Sequence, residues 1–239
     1  MPSFEGLLVV ALLVLLAAGA LGLWATLRRP ADSTALRALG EGRFAEALAA
    51  ARTDARASRD ELYAAAVAAR HLLELDRARA LLDRVLAREP ADGEAWLERG
   101  LTAAYAGDFD GAEAAFQKAA ALRSDLLESV TLHRAWVALR RGDRPAARRL
   151  FSEIEAPLEN KLRSDLGSGE PLFAEWFLQA AALWADAGDE ERAAWALQEG
   201  KASAPGSRLA AVTAGDRDNH DPGDEPGRGS PTSATISPP

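Results

Sequence analysis

Residues 6–27, between Glu5 and Arg28, carry no charge and are mostly Leu, Val and Ala. As a helix rising about 1.5 Å per residue, the run is roughly 33 Å long, enough to cross the core of a bilayer. Trp24 stands near one end, where an interfacial aromatic belongs. Beyond residue 30 the pattern changes. Apolar residues return every three or four positions, in stretches of helical length. That period predicts amphipathic helices, not strands. Turns are marked at Gly42-Arg43, Gly107-Asp108, Gly142-Asp143 and Gly188-Asp189. After Pro205 the periodicity ends, and residues 206–239 are rich in Gly, Pro, Ser and Asp. Such a tail is expected to be disordered. Only Leu209, Ala210, Ala211 and Val212 offer a way to extend or cap the last helix.

The helical stretches repeat. Ala112 is followed by Phe116 and Ala119; 34 residues earlier stand Ala78, Leu82 and Val85, and 35 residues later Ala147, Phe151 and Ile154. A further copy holds Ala193, Leu197 and Gly200, and a weaker first copy Ala47, Ala51 and Asp54. Small residues such as Gly100 and Ala112 allow two helices to approach closely. The large residue four positions on is expected to fill the space between one helix pair and the next. No pair buries its apolar face alone, so the pairs are expected to stack. Two spacings are irregular. Ala47 to Ala78 is 31 residues, which predicts a shortened or shifted first pair. Ala147 to Ala193 is 46, leaving 12 extra residues within 155–173, where Pro157, Gly167, Ser168, Gly169 and Pro171 lie. A surface excursion is expected there, with room for a short helix over 158–166.

Trp96, Gly100, Ala112 and Phe116 in one copy, with Phe177, Ala181, Trp184, Ala193, Leu197 and Pro205 in the last, resemble the tetratricopeptide repeat (TPR) family. The pattern departs from the family at Arg99, Ala103 and Ser124. The resemblance covers residues 30–205. It implies an all-α, right-handed superhelical solenoid of about five helix pairs, preceded here by one transmembrane helix over residues 1–29. It also implies that the first helix of each pair lines a concave groove that receives a protein partner. By spacing, the groove candidates are Tyr63, Val67, Arg70 and His71, then Leu97, Glu98, Leu101 and Tyr105, then Leu132, His133, Trp136 and Arg140. Tyr63 and Val67 stand where a carboxylate clamp would need Lys and Asn, so an extended or helical peptide segment is the expected ligand.

Composition adds mainly exclusions. The chain has no Cys and a formal net charge of −8. The first removes disulfides, thiolate nucleophiles and Cys-based metal sites; the second speaks against a nucleic-acid partner. No phosphate loop, dinucleotide fingerprint or HExxH occurs, and Gly167-Ser168-Gly169 has no strand before it to form a nucleophile elbow. His71, His133 and His220 lack metal-ligand spacing. No enzyme, cofactor, metal or small-molecule substrate is therefore expected. The basic cluster Arg134, Arg140, Arg141, Arg144, Arg148 and Arg149 is expected to be a solvated face, with a dock for an acidic partner or an anionic membrane as the alternative.

The first five residues carry no Lys or Arg, which favours an uncleaved anchor over a cleaved signal peptide. Arg28, Arg29, Arg37 and Arg43 follow the apolar run, so the positive-inside rule places the repeat domain in the cytoplasm. Arg far outnumbers Lys, as in GC-rich bacterial genomes, so a bacterial inner membrane is expected. The function expected is a membrane-anchored scaffold for protein–protein interaction. The alternative is an assembly or regulatory subunit of a membrane or envelope complex, in which the small-residue faces of the anchor helix take part.

Overall fold

One turn recurs through the array. In the computed structural model, which describes residues 34–165 and 171–215, Gly42, Gly107, Gly142 and Gly188 all have φ between 70° and 87°. Each ends a helix in the left-handed conformation, and the following amide donates back across the last turn, as Asp108 N–H does to Ala103 O at 2.9 Å. Asp108, Asp143 and Asp189 then accept from a backbone N–H three residues on and cap the next helix. The same turn forms after the second pair's first helix without glycine: Leu73 takes φ 62° there, and Glu74 N–H bonds Ala69 O at 2.8 Å.

These turns join antiparallel helix pairs. They are α1 (Thr34–Gly40) with α2 (Phe44–Ala50), α3 (Arg59–His71) with α4 (Leu75–Arg88), and α5 (Gly93–Tyr105) with α6 (Phe109–Leu122). The fourth pair is α7 (Leu127–Arg140) with α8 (Arg144–Asp165), and the fifth α9 (Ala174–Ala187) with α10 (Glu190–Ser203). A last helix, α11 (Leu209–Gly215), lies against α9. The described residues contain no strand. All five expected pairs form, and the first is short, with seven residues in each helix. Arg84 and Arg88 of α4 donate to the carbonyls of Thr53, Asp54, Ala55 and Ala57, closing the loop after that short pair.

Close approach within a pair is visible at Gly100. A Cβ placed there would lie 2.5 Å from the Phe116 ring and 3.2 Å from the Ala112 carbonyl. Phe116 therefore fills the inside of its own pair as well as the gap to the next, where its ring stacks on His133 with centroids 5.9 Å apart.

The array departs from the expected architecture in two places. The chain after Ala147 stays helical without a break at Pro157: α8 runs through it to Asp165, close to the end expected for a helix over 158–166, and residues 166–170 lie outside the described residues. Phe151, Ile154, Leu158 and Leu162 keep helical spacing across the proline, and all four are buried. Burying two more leucines offsets the one backbone hydrogen bond that proline cannot make. The ordered fold also does not stop at Pro205. Residues 206–208 lead into α11, whose Leu209 is fully buried. The expected anchor over residues 1–29 and the tail beyond residue 215 lie outside the described residues. Among those described, no helix is long and apolar enough to cross a membrane.

Candidate functional site

The first helices of the second to fourth pairs, α3, α5 and α7, lie side by side along the face expected to be concave. α9 packs on α7 and α8, and its first residues, Ala174 and Glu175, reach the second pair, where Glu175 meets Arg70 of α3. Eight of the twelve groove candidates are buried: Val67, Arg70, His71, Leu101, Tyr105, Leu132, His133 and Trp136. Tyr63, Leu97, Glu98 and Arg140 are half-buried. Most groove candidates therefore lie inside the packed array, with α9 against α7 and α11 against α9.

The structure brings Arg70, Glu98, Tyr105 and His133 together around two residues of α9. Arg70 donates Nη1 to Glu175 at 2.7 Å and Nε to Glu98 at 2.9 Å. Gln179, one turn beyond Glu175, donates to it at 3.2 Å and accepts from His133 Nδ1 at 2.7 Å. His133 Nε2 is then left to accept from the Ser129 hydroxyl at 3.0 Å. One polar chain therefore ties α3, α5, α7 and α9. Tyr105 lies beneath it, with its ring 5.9 Å from the Arg70 guanidinium and 4.8 Å from Trp136. His71 continues the line outward. Its ring stacks on Phe44 at 4.1 Å, Nδ1 meets the Ser207 hydroxyl at 3.0 Å, and its carbonyl accepts from Arg208 N–H at 2.8 Å. Tyr63, Leu97, Leu132 and Arg140 stay outside this network. Arg59 lies over the Tyr63 ring, and Arg140 over Phe109 and Trp136.

Burial sets the charge states. It disfavours a charged Arg70, but the carboxylates of Glu175 and Glu98 outweigh it and hold the guanidinium protonated. Burial raises the Glu98 carboxyl above its ordinary range, against the pull of Arg70. It lowers His133 to about 4, so the imidazole is neutral at pH 7, consistent with its donating at one nitrogen and accepting at the other. Burial and then the Arg70 charge push His71 well below its usual value. The Tyr105 phenol is pushed up by burial and by Glu175.

Spacing missed Glu175, Gln179 and Ser207. A signal for the first two was present: α9 is mostly apolar, and two polar residues one turn apart among its apolar positions need partners when buried. The basic cluster is largely paired in place. Arg134 meets Glu113, Arg141 meets Asp110, and Arg144 and Arg148 share Asp186. Among the described residues no group of three His, Asp or Glu is placed to hold a metal ion.

No protein-family model matches the chain, and none of the curated proteins does. Solved structures similar to it include two at 19% identity. One, "MamA MSR-1 C2", has a TM-score of 0.43 over 71% of this chain and 91% of its own. The other, "MamA AMB-1 P212121", has a TM-score of 0.41 over 74% and 92% respectively.

Proposed function

We propose that the chain is a helix-pair scaffold of the tetratricopeptide kind, held at a membrane by residues 6–27, which docks a protein partner on its concave face. The observation that carries this reading is the seating of α9. α7 packs against the largely apolar α9, and Arg70 of α3 and His133 of α7 fix its register by bonds to Glu175 and Gln179. A surface that does this for a segment of its own chain has the shape and chemistry to do it for a partner's helix. The rim of that face is where a partner would first touch, at Tyr63, Leu97 and Arg140. The chain turns over no substrate in this reading. The positive-inside rule supports placing the array on the cytoplasmic side.

The test is site-specific photocrosslinking in membranes from the native host. A crosslinker at Tyr63 or Leu97 should capture a discrete partner that the same group at Arg79, on the exposed back of α4, does not. Equal capture from both faces, or none from the rim, would overturn the docking face. A reporter fused after residue 239 that is active only when exported would overturn the cytoplasmic placement.

A further inference from the structure

The buried apolar side chains fall into two bodies. Phe44, Leu62, Leu82 and Val85 centre one, in the first two pairs. Phe116, Trp136, Phe151 and Trp184 centre the other, the C-terminal apolar body. The exit from the fifth pair reaches back to the first pairs and closes the array into a ring. Gly206 passes so near the Gly42 carbonyl and the Phe44 ring that a Cβ on it would lie 3.0 Å and 3.7 Å from them. Ser207 and Arg208 then hold His71 at the end of α3. Beyond them the chain lays α11 on α9.

The sequence of α11, LAAVTAG, has seven residues and no charge, so no ion pair ties it and it is too short to persist alone. One stripe holds it: Leu209 fully buried, Val212 half-buried three positions on, and Thr213 buried at the fourth. Leu209 and Val212 join the C-terminal apolar body. This is the spacing by which a short helix is read in a groove. The polar match is incomplete. Tyr105, at the end of α5, is 6% exposed, and its hydroxyl has no hydrogen-bond partner. Thr213 and Gln179 stand beside that hydroxyl but are engaged elsewhere. Thr213 donates to the Leu209 carbonyl at 3.0 Å, and Gln179 is bonded to Glu175 and His133. A buried hydroxyl left in this state offsets much of what burying one leucine contributes.

We propose that α11 is a strap in the seat of a partner's short helix, which displaces it. The occupant follows the strap's own pattern: a leucine, an apolar residue three positions on, and at the fourth a side chain that accepts from the Tyr105 hydroxyl. Glu175 already bears on that hydroxyl, so a neutral acceptor, Asn or Gln, suits the place better than a carboxylate. That the occupant belongs to a partner rests on the docking reading given above; the displacement of α11 does not.

The test uses the full chain in detergent and a fluorescent peptide of residues 204–215, followed by anisotropy. In the wild type the tethered α11 competes at an effective concentration on the order of millimolar. Leu209→Ala weakens the strap and frees the seat, so it should bind the peptide about tenfold more tightly than the wild type does. Val212→Ala should act in the same direction, more weakly. Amide exchange in the middle of α7 and α9 should stay as in the wild type. A peptide carrying Thr213→Asn should bind Leu209→Ala about fivefold more tightly than the parent peptide, the worth of one hydrogen bond. That gain should vanish when Tyr105→Phe is added to the protein. Equal peptide binding by the wild type and both strap variants overturns the proposal. So does an Asn gain that survives Tyr105→Phe, or faster exchange throughout α7 and α9 in both variants, which would make α11 part of the core. Dimers of Leu209→Ala that the peptide dissolves would make a second copy the occupant and overturn the partner. If the peptide results hold while photocrosslinking captures nothing, the strap stands and the docking reading falls.

Discussion

His133 carries the clearest consequence at the scale of single residues. It sits at the centre of the concave face as a neutral ring, a donor to Gln179 and an acceptor from Ser129. Its folded pKa of about 4 lies below the unfolded value of ~6.5. The unfolded chain therefore binds the proton first as pH falls. The stability tied to neutral His133 is complete above pH ~6.5 and is lost progressively as the pH drops toward 4, up to roughly 3 kcal/mol. Urea unfolding of the wild type and of His133→Asn at pH 7 and pH 4.5 checks this. The wild type should lose about 2 kcal/mol more than the variant over that interval; equal losses would contradict the assignment. The residues that formed the repeat were legible because size and spacing alone specify them, as Gly100 and Phe116 show. What each polar groove candidate touches was not, because its partner lies on another pair, in some cases more than 100 positions away, as Glu175 is from Arg70.

Among elements, the turn shared by every pair separates backbone cost from packing. Gly107 has open space around its missing Cβ and a φ of 81°. Gly107→Ala should therefore cost about 1 kcal/mol through conformation alone. Leu73 already bears that strain at φ 62°, but its side chain packs against the C-terminal apolar body. Leu73→Gly should then change stability by less than Gly107→Ala, since relief of strain and loss of contact oppose each other; thermal melts of the two variants compare them. Helix existence was readable throughout from period and turn residues. Helix length was misjudged at α8, where Pro157 outweighed the continuing spacing of Leu158 and Leu162 in the sequence reading. In the fold, burial of those leucines dominates.

At the scale of the molecule, the closing of the array makes its last residues structural. Removing everything after Pro205 deletes the Ser207 and Arg208 contacts and uncovers the site of the fully buried Leu209. The lost burial alone is worth about 2 kcal/mol. A chain ending at residue 205 should melt several degrees below one ending at residue 215, roughly 2–4 °C for each kcal/mol in a chain of this size. Equal melting temperatures would show that α11 is not part of the cooperative unit. The sequence announced a stack of pairs but not its closure. Closure depends on how far an extended α8 carries the chain before α9 begins, a geometric sum over many residues with no local signature.

The same closure sets an order of events during synthesis. Arg70 leaves the ribosome 105 residues before Glu175. At roughly 5–20 residues per second, that interval is about 5–20 s. For that time α3 presents a guanidinium and an imidazole whose cross-ring partners have not been made. Neighbour contacts along the array can form as each pair emerges, but its first-made layer is completed only by its last-made one.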